Sequence, residues 1–389
     1  MQTALQEAKP IVHKVFEHLH THPEISWQEF ETTRYLKTFL EKEGFTVETF
    51  DDSTGLVVTI GSGEPCVGLR TDIDALWQEV DGIYQANHSC GHDAHMAMAV
   101  GALLVLKKIG MPKLGQVKVL FQPAEEKGNG ALSFIEKGVV DDIDYLYGVH
   151  LRPVQEIGHG YSAPAIMNGA ARMLKGSIKG TDAHGARPHQ GQNAIEVMAL
   201  LVHAIRSIHV DPMVPHSAKM TMFQAGGESA NIIPGTGTFS IDVRAQTNEV
   251  IEKLMIQVEK AVESVAQLAD VEISLEVTAE IAAAQVHETA VELMASAIKE
   301  TVGEESLVPP VVTPGGEDFH YYTLKRPAVK ATMLGLGCDL APGLHHPKMS
   351  FNRESLMTGV EILARVVIRT FEHMESGKEN KEKHEVISQ

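Results

Sequence analysis

The sequence predicts an α/β protein: a central mixed sheet with helices on both faces, into which a ferredoxin-like α+β domain is inserted. Strand-like and helical apolar patterns alternate over residues 56–150, which is typical of a sheet covered by helices. From residue 171 the order becomes β-α-β-β-α-β, as in the split βαβ unit. Acidic, imidazole and thiol groups also follow several apolar runs, where an α/β sheet brings residues to a common crevice.

The first part begins with helical apolar spacing over residues 4–43, which Pro23 interrupts and which Gly44 is suited to end. Strands and helices then alternate. The predicted strands are 56–60, 67–72, 117–121 and 145–150, and the predicted helices between them are 95–108 and 130–137. After the insertion, a helix at 288–302, a strand at 329–336 and a helix at 354–372 complete the same domain.

The inserted part has its own complete set of elements. Its predicted strands are 171–179, 218–224, 236–244 and 271–277, and its predicted helices are 193–209 and 247–268. We therefore expect a discontinuous first domain over 1–170 and 281–376, and a compact second domain over 171–280 that is inserted into it. The remaining residues, 377–389, are rich in Lys and Glu and are predicted to be a disordered tail.

Composition limits the classes of partner. The 389 residues include 33 basic and 51 acidic side chains, a formal net charge of −18, and 43% are hydrophobic. Such a surface repels phosphate backbones and anionic membranes, so we expect neither nucleic acid nor a membrane as a partner. The longest apolar run, 96–106, is shorter than the ~18 residues that suggest a membrane span.

The cysteine content and the first residues indicate a compartment. The three cysteines are Cys66, Cys90 and Cys338, too few for a disulfide framework and consistent with a reducing environment. The N-terminal sequence lacks the basic segment and apolar stretch of a signal peptide. The expected location is the cytoplasm.

The first cluster of reactive side chains lies at 89–95 and has the sequence SCGHDAH. In an extended or loop conformation, Cys90 and His92 point the same way, and a thiolate with imidazoles binds borderline-soft ions such as zinc. A lone cysteine is more often a small buried apolar residue. The rival chemistry is a Cys-His nucleophile pair, which needs a third, orienting group. A nucleophile pair would give no function to the acidic residues near the site or to His150, so the pattern favours a metal site.

Two more apolar runs are followed by candidate ligands. Glu125 and Glu126 come after Pro123, and consecutive side chains diverge, so one carboxylate can bind a metal while the other accepts a proton. The ordinary alternative is a solvated acidic turn. His150 ends another strand-like run, where the alternative is a buried, hydrogen-bonded histidine.

Weaker signals come from two further places. Asp72 and Asp74 end a strand, and they are either turn acids at the surface or carboxylates that orient a ligand histidine. His345 and His346 lie in a loop rich in Gly and Pro, and alone that pair would be a weak signal.

Together these stretches resemble a known family. LRTDIDA at 69–75, CGHDAH at 90–95, FQPAEE at 121–126 and GVH at 148–150 resemble the binuclear metal amidohydrolases of the aminoacylase, hippurate hydrolase and auxin-conjugate hydrolase type. These enzymes belong to the wider zinc carboxypeptidase/aminoacylase superfamily. The similarity extends from LHTHPE at 19–24 to LHHP at 344–347, and two segments, 76–80 and 86–90, look most similar to a bacterial aminoacylase-like subgroup. The resemblance implies a zinc-peptidase-like catalytic domain.

The resemblance also implies a ligand set for two divalent ions. Cys90 would bridge the two ions, His92 and His150 would complete one site, and Glu126 and His345 would complete the other. Zinc or manganese is expected, with cobalt a third candidate, since availability as well as ligand softness decides the metal. His346 stands where a small polar residue is usual in the family, which leaves the choice between His345 and His346 open.

Catalytic roles follow from the same resemblance. Glu125 would be the general base, and Asp72 the carboxylate that orients a ligand. In the inserted domain, AHGARPH at 183–189 matches a lid motif whose His184 would stabilise the oxyanion. Asn231 lies in ANIIP at 230–234, which matches a substrate-contacting loop.

The implied activity is hydrolysis of the amide bond of N-acyl amino acids or similar small conjugates through a metal-bridged water. A homodimer formed through the inserted domain is expected, because its edge strand offers unpaired backbone groups. Two alternatives stay open: a dipeptidase or carboxypeptidase with the same machinery, and a metal-binding relative without turnover. The presence of Glu125 and His184 opposes the second.

Overall fold

The computed structural model describes residues 1–110 and 115–376 in full, and it assigns the backbone of 377–387 to the last helix. The predicted disordered tail, 377–389, thus lies outside the fully described residues. The helices are α1 (Gln2–Thr21), α2 (Phe30–Lys42), α3 (His92–Ile109), α4 (Gly130–Glu136), α5 (Ala194–Arg206), α6 (Asn248–Ala269), α7 (Glu288–Val302), α8 (His320–Lys325) and α9 (Ser355–Ile387).

The strands alternate with these helices along the chain. They are β1 (Thr46–Thr49), β2 (Leu56–Ser62), β3 (Cys66–Asp72), β4 (Leu76–Val80), β5 (Ile83–Asn87), β6 (Gly115–Gln122), β7 (Tyr145–Pro153), β8 (Ser162–Ala163), β9 (Ile166–Asn168), β10 (Ala170–Lys179), β11 (Ala183–His184), β12 (His216–Ala225), β13 (Ile232–Ile233), β14 (Thr236–Ala245), β15 (Glu272–Ile281), β16 (Val311–Thr313) and β17 (Lys330–Leu340).

The chain divides into two compact units. The first contains Met1–Ile166, Gln285–Val311 and Asp318–Gln389, and the second contains Met167–Ala284 and Val312–Glu317. The short segment 312–317 belongs to the second unit although it follows the insertion in sequence. That the second unit serves as a lid or a dimer surface stays a prediction.

The first unit is built on a seven-stranded mixed sheet of order β1-β2-β6-β3-β7-β17-β8. The four central strands, β6, β3, β7 and β17, run parallel, and antiparallel strands flank them on both sides. Helices α1, α3, α7 and α9 contribute to one hydrophobic core with this sheet, while α4 contacts β6 and α8. The predicted α/β fold with a mixed central sheet is therefore confirmed.

Helix α3 lies at the middle of this core. Fourteen of its residues, from His92 to Leu106, are buried, which explains why the apolar run 96–106 has no polar face. The helix begins directly after Gly91, whose φ of 92° lies in the left-handed region that glycine adopts readily. Because α3 is held on all sides, the reactive residues in its first turn have fixed positions.

The second unit contains a four-stranded antiparallel sheet of order β12-β14-β10-β15, which packs with α5 and α6. With β10 first in sequence, the spatial order is 2-3-1-4, as expected for the ferredoxin-like β-α-β-β-α-β arrangement. Its hydrophobic core is separate from that of the first unit. The predicted ferredoxin-like arrangement of this segment is confirmed.

The sequence patterns missed several elements of the first unit, among them β1 and the hairpin β4-β5. Strand β1 is short and exposed, and the hairpin β4-β5 carries exposed residues along much of its length. Neither shows the apolar run on which the strand predictions relied, since a strand without a buried face has no such pattern. Among the described residues, no helix has the length and apolar content needed to cross a membrane.

Candidate metal centre

The ends of the parallel strands bring the candidate site together. Asp72 on β3 pairs in register with Gln122 on β6, and Arg70 pairs with Gly148 on β7, so His150 lies at the same level as Asp72. His150 is also in register with Gly335 on β17. These neighbouring strands therefore end at one edge of the sheet, the edge at which open α/β folds bind ligands.

Cys90 and His92 converge through a turn, which is the loop alternative to the extended segment that the sequence also allowed. The intervening Gly91 adopts a left-handed conformation, and His92 is the first residue of α3. A Cβ at Gly91 would lie 3.0 Å from Leu151 Cδ1, so the turn also needs glycine for space. Both side chains are buried, with Cys90 6% exposed.

Glu125 and Glu126 lie in a one-turn 3₁₀ helix, Glu125–Lys127, directly after β6. The residue before them, Ala124, has a φ of 50°, which is uncommon for a residue other than glycine. The Glu125 Oε2 and Glu126 Oε1 atoms each lie 3.9 Å from His92 Nε2. Both carboxylates thus lie near the same imidazole, as is required if one of them binds a metal ion and the other accepts a proton.

His345 comes to the site from the loop that follows β17. Its backbone N donates to the Ser89 carbonyl at 2.8 Å, which ties the loop to the residue before Cys90. His345 Nε2 lies 3.3 Å from both Cys90 Sγ and Glu126 Oε1. His346 is exposed and its Nδ1 accepts a hydrogen bond from the Lys348 backbone, so the geometry favours His345 as the ligand.

Among the groups of donor atoms in the described residues that could hold a metal ion, two share the Cys90 thiol. In the first set, Cys90, His92 and His150, the donor atoms lie within 4.8 Å of one another, and the same holds for the second set, Cys90, Glu126 and His345. Sulfur, imidazole nitrogen and carboxylate oxygen are the ligands that zinc and similar ions prefer. The two sets have the membership that the resemblance implied for two bridged metal ions.

One buried atom tests whether these residues fit metal ions. His92 Nε2 has no hydrogen-bond partner among the described residues, although burial of an unpaired polar atom is costly. His92 Nδ1 donates to the Asp74 carbonyl at 2.8 Å, and His150 Nδ1 donates to the Leu151 carbonyl at 2.7 Å. Since carbonyls only accept, each Nε2 keeps its lone pair for a metal ion. The residues therefore fit the metal ions that the family implies.

The electrostatics of the site also favour cations. Hydrogen bonds to Cys90 and then to Glu126 raise the pKa of His345 to about 10, so the surrounding donors stabilise a positive charge at this place. Burial lowers the pKa of His150 well below its usual range, which keeps the imidazole neutral as a ligand must be.

Among the described residues, Asp72 forms a hydrogen bond to His95 and not to a candidate ligand histidine. Asp72 Oδ1 accepts from His95 Nδ1 at 2.8 Å, whereas it is 3.8 Å from His92 Nδ1. His95 Nε2 in turn accepts from the backbone N of Leu151, next to the candidate ligand His150. Asp72 is therefore connected to the backbone beside His150 through His95, a residue that the sequence analysis did not single out.

Asp74 is the carboxylate that contacts the candidate ligand His92 directly. Its Oδ1 lies 3.2 Å from His92 Nδ1, in addition to the bond from that nitrogen to its own carbonyl. Burial alone would raise the pKa of Asp74, but hydrogen bonds from His92 and Ser26 hold it below its usual range. The sequence analysis gave Asp72 and Asp74 the same two possible roles. Only the directions of their side chains in the structure show that each contacts a different histidine.

The remaining predicted residues, His184 and Asn231, belong to the second unit. There β11 pairs with β13, and the Gly185 backbone N donates to the Asn231 carbonyl at 2.7 Å. Both side chains are exposed. The pairing brings the two predicted residues to neighbouring turns of the same unit, and their roles in catalysis stay predictions.

Comparison with known proteins identifies the family. The model of peptidase family M20/M25/M40 matches residues 68–369. An N-acetyl-L-cysteine deacetylase of Bacillus subtilis is 31% identical over 376 residues, covering 93% of this chain and 88% of that protein.

Solved structures share the fold. A predicted aminohydrolase from methicillin-resistant Staphylococcus aureus has a TM-score of 0.86 with 27% identity, covering 94% of this chain and 97% of its own. A dinuclear metal-binding M20 peptidase from Bacillus subtilis has a TM-score of 0.80 with 23% identity, covering 94% of this chain and 99% of its own.

These matches confirm the resemblance drawn from the sequence motifs, and the matched range includes the donor residues from Cys90 to His345. The family match indicates a hydrolase, and the two donor sets provide candidate ligands for its metal ions. The chain belongs to peptidase family M20/M25/M40 and is a metal-dependent amidohydrolase.

Proposed function

We propose that this protein hydrolyses the amide bond of N-acyl amino acids, using two divalent ions held by the donor sets that share Cys90. The observation that carries the proposal is the presence of Glu125 beside these two sets, at 3.9 Å from the candidate ligand His92. The similarity to a deacetylase of N-acetyl-L-cysteine supports an acylated amino acid as the substrate class.

Five side chains would hold the ions. His92 and His150 complete one site, Glu126 and His345 complete the other, and Cys90 takes part in both. Bound divalent ions lower the pKa of a coordinated water and polarise a carbonyl oxygen, which is the chemistry that amide hydrolysis needs. Zinc or manganese is our proposal, with cobalt a third candidate, because one thiolate among nitrogen and oxygen donors suits more than one of these ions.

Glu125 is proposed as the proton carrier. Its carboxylate is largely buried and lies on the side of the donor sets that His92 Nε2 faces. It accepts the proton of the attacking water, and it then gives that proton to the leaving amine, since a stable amine departs only when protonated. Glu126, the next residue, belongs to the donor set that contains Cys90 and His345, so we assign it to metal binding and Glu125 to proton transfer.

Residues of the second unit would complete the reaction. His184 is proposed to donate a hydrogen bond to the oxyanion that forms at the amide carbon, and Asn231 to contact the substrate. A homodimer formed through the second unit and a cytoplasmic location are retained as proposals from the sequence.

A substrate panel tests the proposed function. Metal-free protein is loaded separately with zinc, manganese or cobalt, and release of free amino acid is measured from N-acetyl and longer N-acyl amino acids. Dipeptides with a free amine form the comparison panel. We expect turnover of N-acyl amino acids with at least one metal and none without metal. Preferential cleavage of the dipeptides would favour the peptidase alternative, and no turnover on either panel would contradict the proposal.

Cys90 gives a test of the shared ligand. Because a coordinated thiolate is not available for reaction, alkylation of Cys90 is expected to be slow with metal bound and faster after chelation. Peptide mass spectrometry after timed treatment with iodoacetamide measures both rates.

Cys66 and Cys338 are internal controls for this measurement. Burial raises the pKa of each thiol to about 12, so both are expected to stay unreactive in either state. Rapid alkylation of Cys90 in metal-loaded protein that keeps its activity would show that this thiol is not a ligand. A trapped acyl-thioester with metal still bound would favour the nucleophile alternative.

A further inference from the structure

Three successive backbone N–H groups at the catalytic turn are bound by two buried carboxylates. Ala124 N donates to Glu29 Oε1 at 2.9 Å, Glu125 N to Asp74 Oδ1 at 3.2 Å, and Glu126 N to Asp74 Oδ2 at 3.0 Å. The two carboxylates come from different parts of the chain, one before α2 and the other after β3. Together they determine the path of the backbone that carries both glutamates.

Asp74 links this turn to the candidate metal ligands. Its Oδ1 accepts from Glu125 N and lies 3.2 Å from His92 Nδ1, and its Oδ2 also accepts from Ser26 Oγ at 2.6 Å. Asp74 therefore has neighbours on every side, and its position is set by α3 and by the segment before α2. It cannot by itself hold Ala124, whose N–H points to the other carboxylate.

Glu29 is the residue that holds Ala124. It is fully buried, and its Oε2 accepts a hydrogen bond from Thr54 Oγ1 at 2.6 Å. Its own backbone carbonyl accepts from Thr33 N at 3.0 Å, which fixes it at the start of α2. Burial raises the pKa of Glu29, against the hydrogen bond from Thr54, and in either protonation state an oxygen is available to Ala124.

The backbone at Ala124 needs such a partner. With a φ of 50°, Ala124 occupies the left-handed region, where a side chain is disfavoured and the surrounding structure must stabilise the conformation. This residue directs the chain from β6 into the 3₁₀ turn. A relaxed Ala124 would move the carboxylates of both following residues, Glu125 and Glu126.

We propose that Glu29 is a positioning residue for catalysis, which through the Ala124 N–H places Glu125 for proton transfer and Glu126 for metal binding. This inference rests on the proposed roles of those two residues. Within the described part of the chain, no hydrogen bond joins Glu29 to either donor set, so its effect is carried by the backbone. A displacement of about 1 Å at a catalytic group is enough to cost on the order of 10²-fold in rate.

Two substitutions of similar size separate positioning from simple packing. Glu29→Gln keeps an oxygen that accepts from Ala124 N, while Thr54 Oγ1 can turn to accept from the new amide. Glu29→Leu removes both acceptors and fills the same space. We expect Glu29→Gln to keep kcat within about 3-fold, and Glu29→Leu to lower kcat by at least ~10-fold with little change in KM, because base placement matters most in the transition state.

Metal binding provides a readout that does not depend on turnover. Titration of metal-free Glu29→Leu protein with zinc against a competing chelator is expected to show one weakened site, since Glu126 belongs to only one donor set. Glu29→Gln is expected to titrate like the wild type. If Glu29→Leu does not fold, as judged by circular dichroism, Glu29→Met is used in its place in both measurements. The Met side chain is unbranched, like that of Glu.

Thr54→Val is the matched control. It removes the hydrogen bond from Thr54 Oγ1 to the Glu29 carboxylate and leaves the bond from Ala124 N in place. We therefore expect lower thermal stability with unchanged kcat and an unchanged zinc titration. Unchanged kcat and zinc affinity in folded Glu29→Leu protein would overturn the inference, as would equal loss in the Gln and Leu variants. If Glu125→Gln keeps full turnover, the proposed base is wrong, and the zinc titration alone then decides whether Glu29 positions Glu126.

Discussion

Glu125→Gln is expected to lower turnover by at least ~10²-fold while both metal ions stay bound. The amide of Gln has nearly the same shape as the carboxylate, but it cannot accept the proton of water or return one to the leaving amine. The backbone bond from Glu125 N to Asp74 is unaffected by the substitution, so the turn should keep its geometry. Steady-state kinetics on an N-acyl amino acid and metal analysis of the purified variant measure the two outcomes.

The neighbouring substitution is the control for this prediction. Glu126→Gln removes a charged donor from the set that contains Cys90 and His345, so metal content should fall there. The two variants change one atom each at adjacent positions of the same turn. Loss of metal in Glu125→Gln with full metal content in Glu126→Gln would reverse the proposed roles.

His184→Ala is expected to reduce kcat by roughly 10²–10³-fold, the usual cost of losing one oxyanion donor. Because such a donor acts mainly in the transition state, KM should change little and metal content not at all. His184 is exposed in the second unit, and its Nδ1 accepts from the Ala186 backbone N at 3.0 Å, which leaves Nε2 to carry the donated proton. A surface histidine without a catalytic role would leave kcat unchanged.

Mixing two inactive variants shows which chain supplies His184. If it acts across a dimer, hybrids of His184→Ala and Glu125→Gln protein contain some sites with both groups, and part of the activity should return. Subunit exchange is followed independently with differently labelled chains. Exchange without any return of activity would place His184 in its own chain or remove it from catalysis.

The structure adds to the sequence-based interpretation mainly by showing how residues reach the site. The spacing of Cys90 and His92 allowed an extended or a loop conformation, and a left-handed turn at Gly91 and the start of α3 bring them together. Asp72 and Asp74 were both candidates to orient a ligand, and the Asp74 carboxylate lies near His92 Nδ1. Neighbouring acids in a sequence look equivalent, whereas the turn after β3 sends their side chains to different partners.

Glu29 could not be selected from the sequence at all. It lies in an ordinary helix-start segment with several other acidic residues, and nothing in the local pattern indicates burial. Its role depends on contacts with Thr54 and Ala124, which are 25 and 95 residues away along the chain. Long-range hydrogen bonds of this kind leave no periodic signal.

By itself, the sequence determined the α/β class, the ferredoxin-like insertion and the family, and through the family resemblance it named candidate ligands while leaving His345 and His346 as alternatives. Apolar periodicity reports which faces are buried, and the motifs at strand ends report chemistry, so both are visible locally. The tertiary structure decided which atoms of Cys90, His92 and Glu126 converge, and which carboxylates hold them. Those choices depend on strand register, on the burial of α3 and on left-handed turns at Gly91 and Ala124, because only the folded chain brings distant segments within hydrogen-bonding distance.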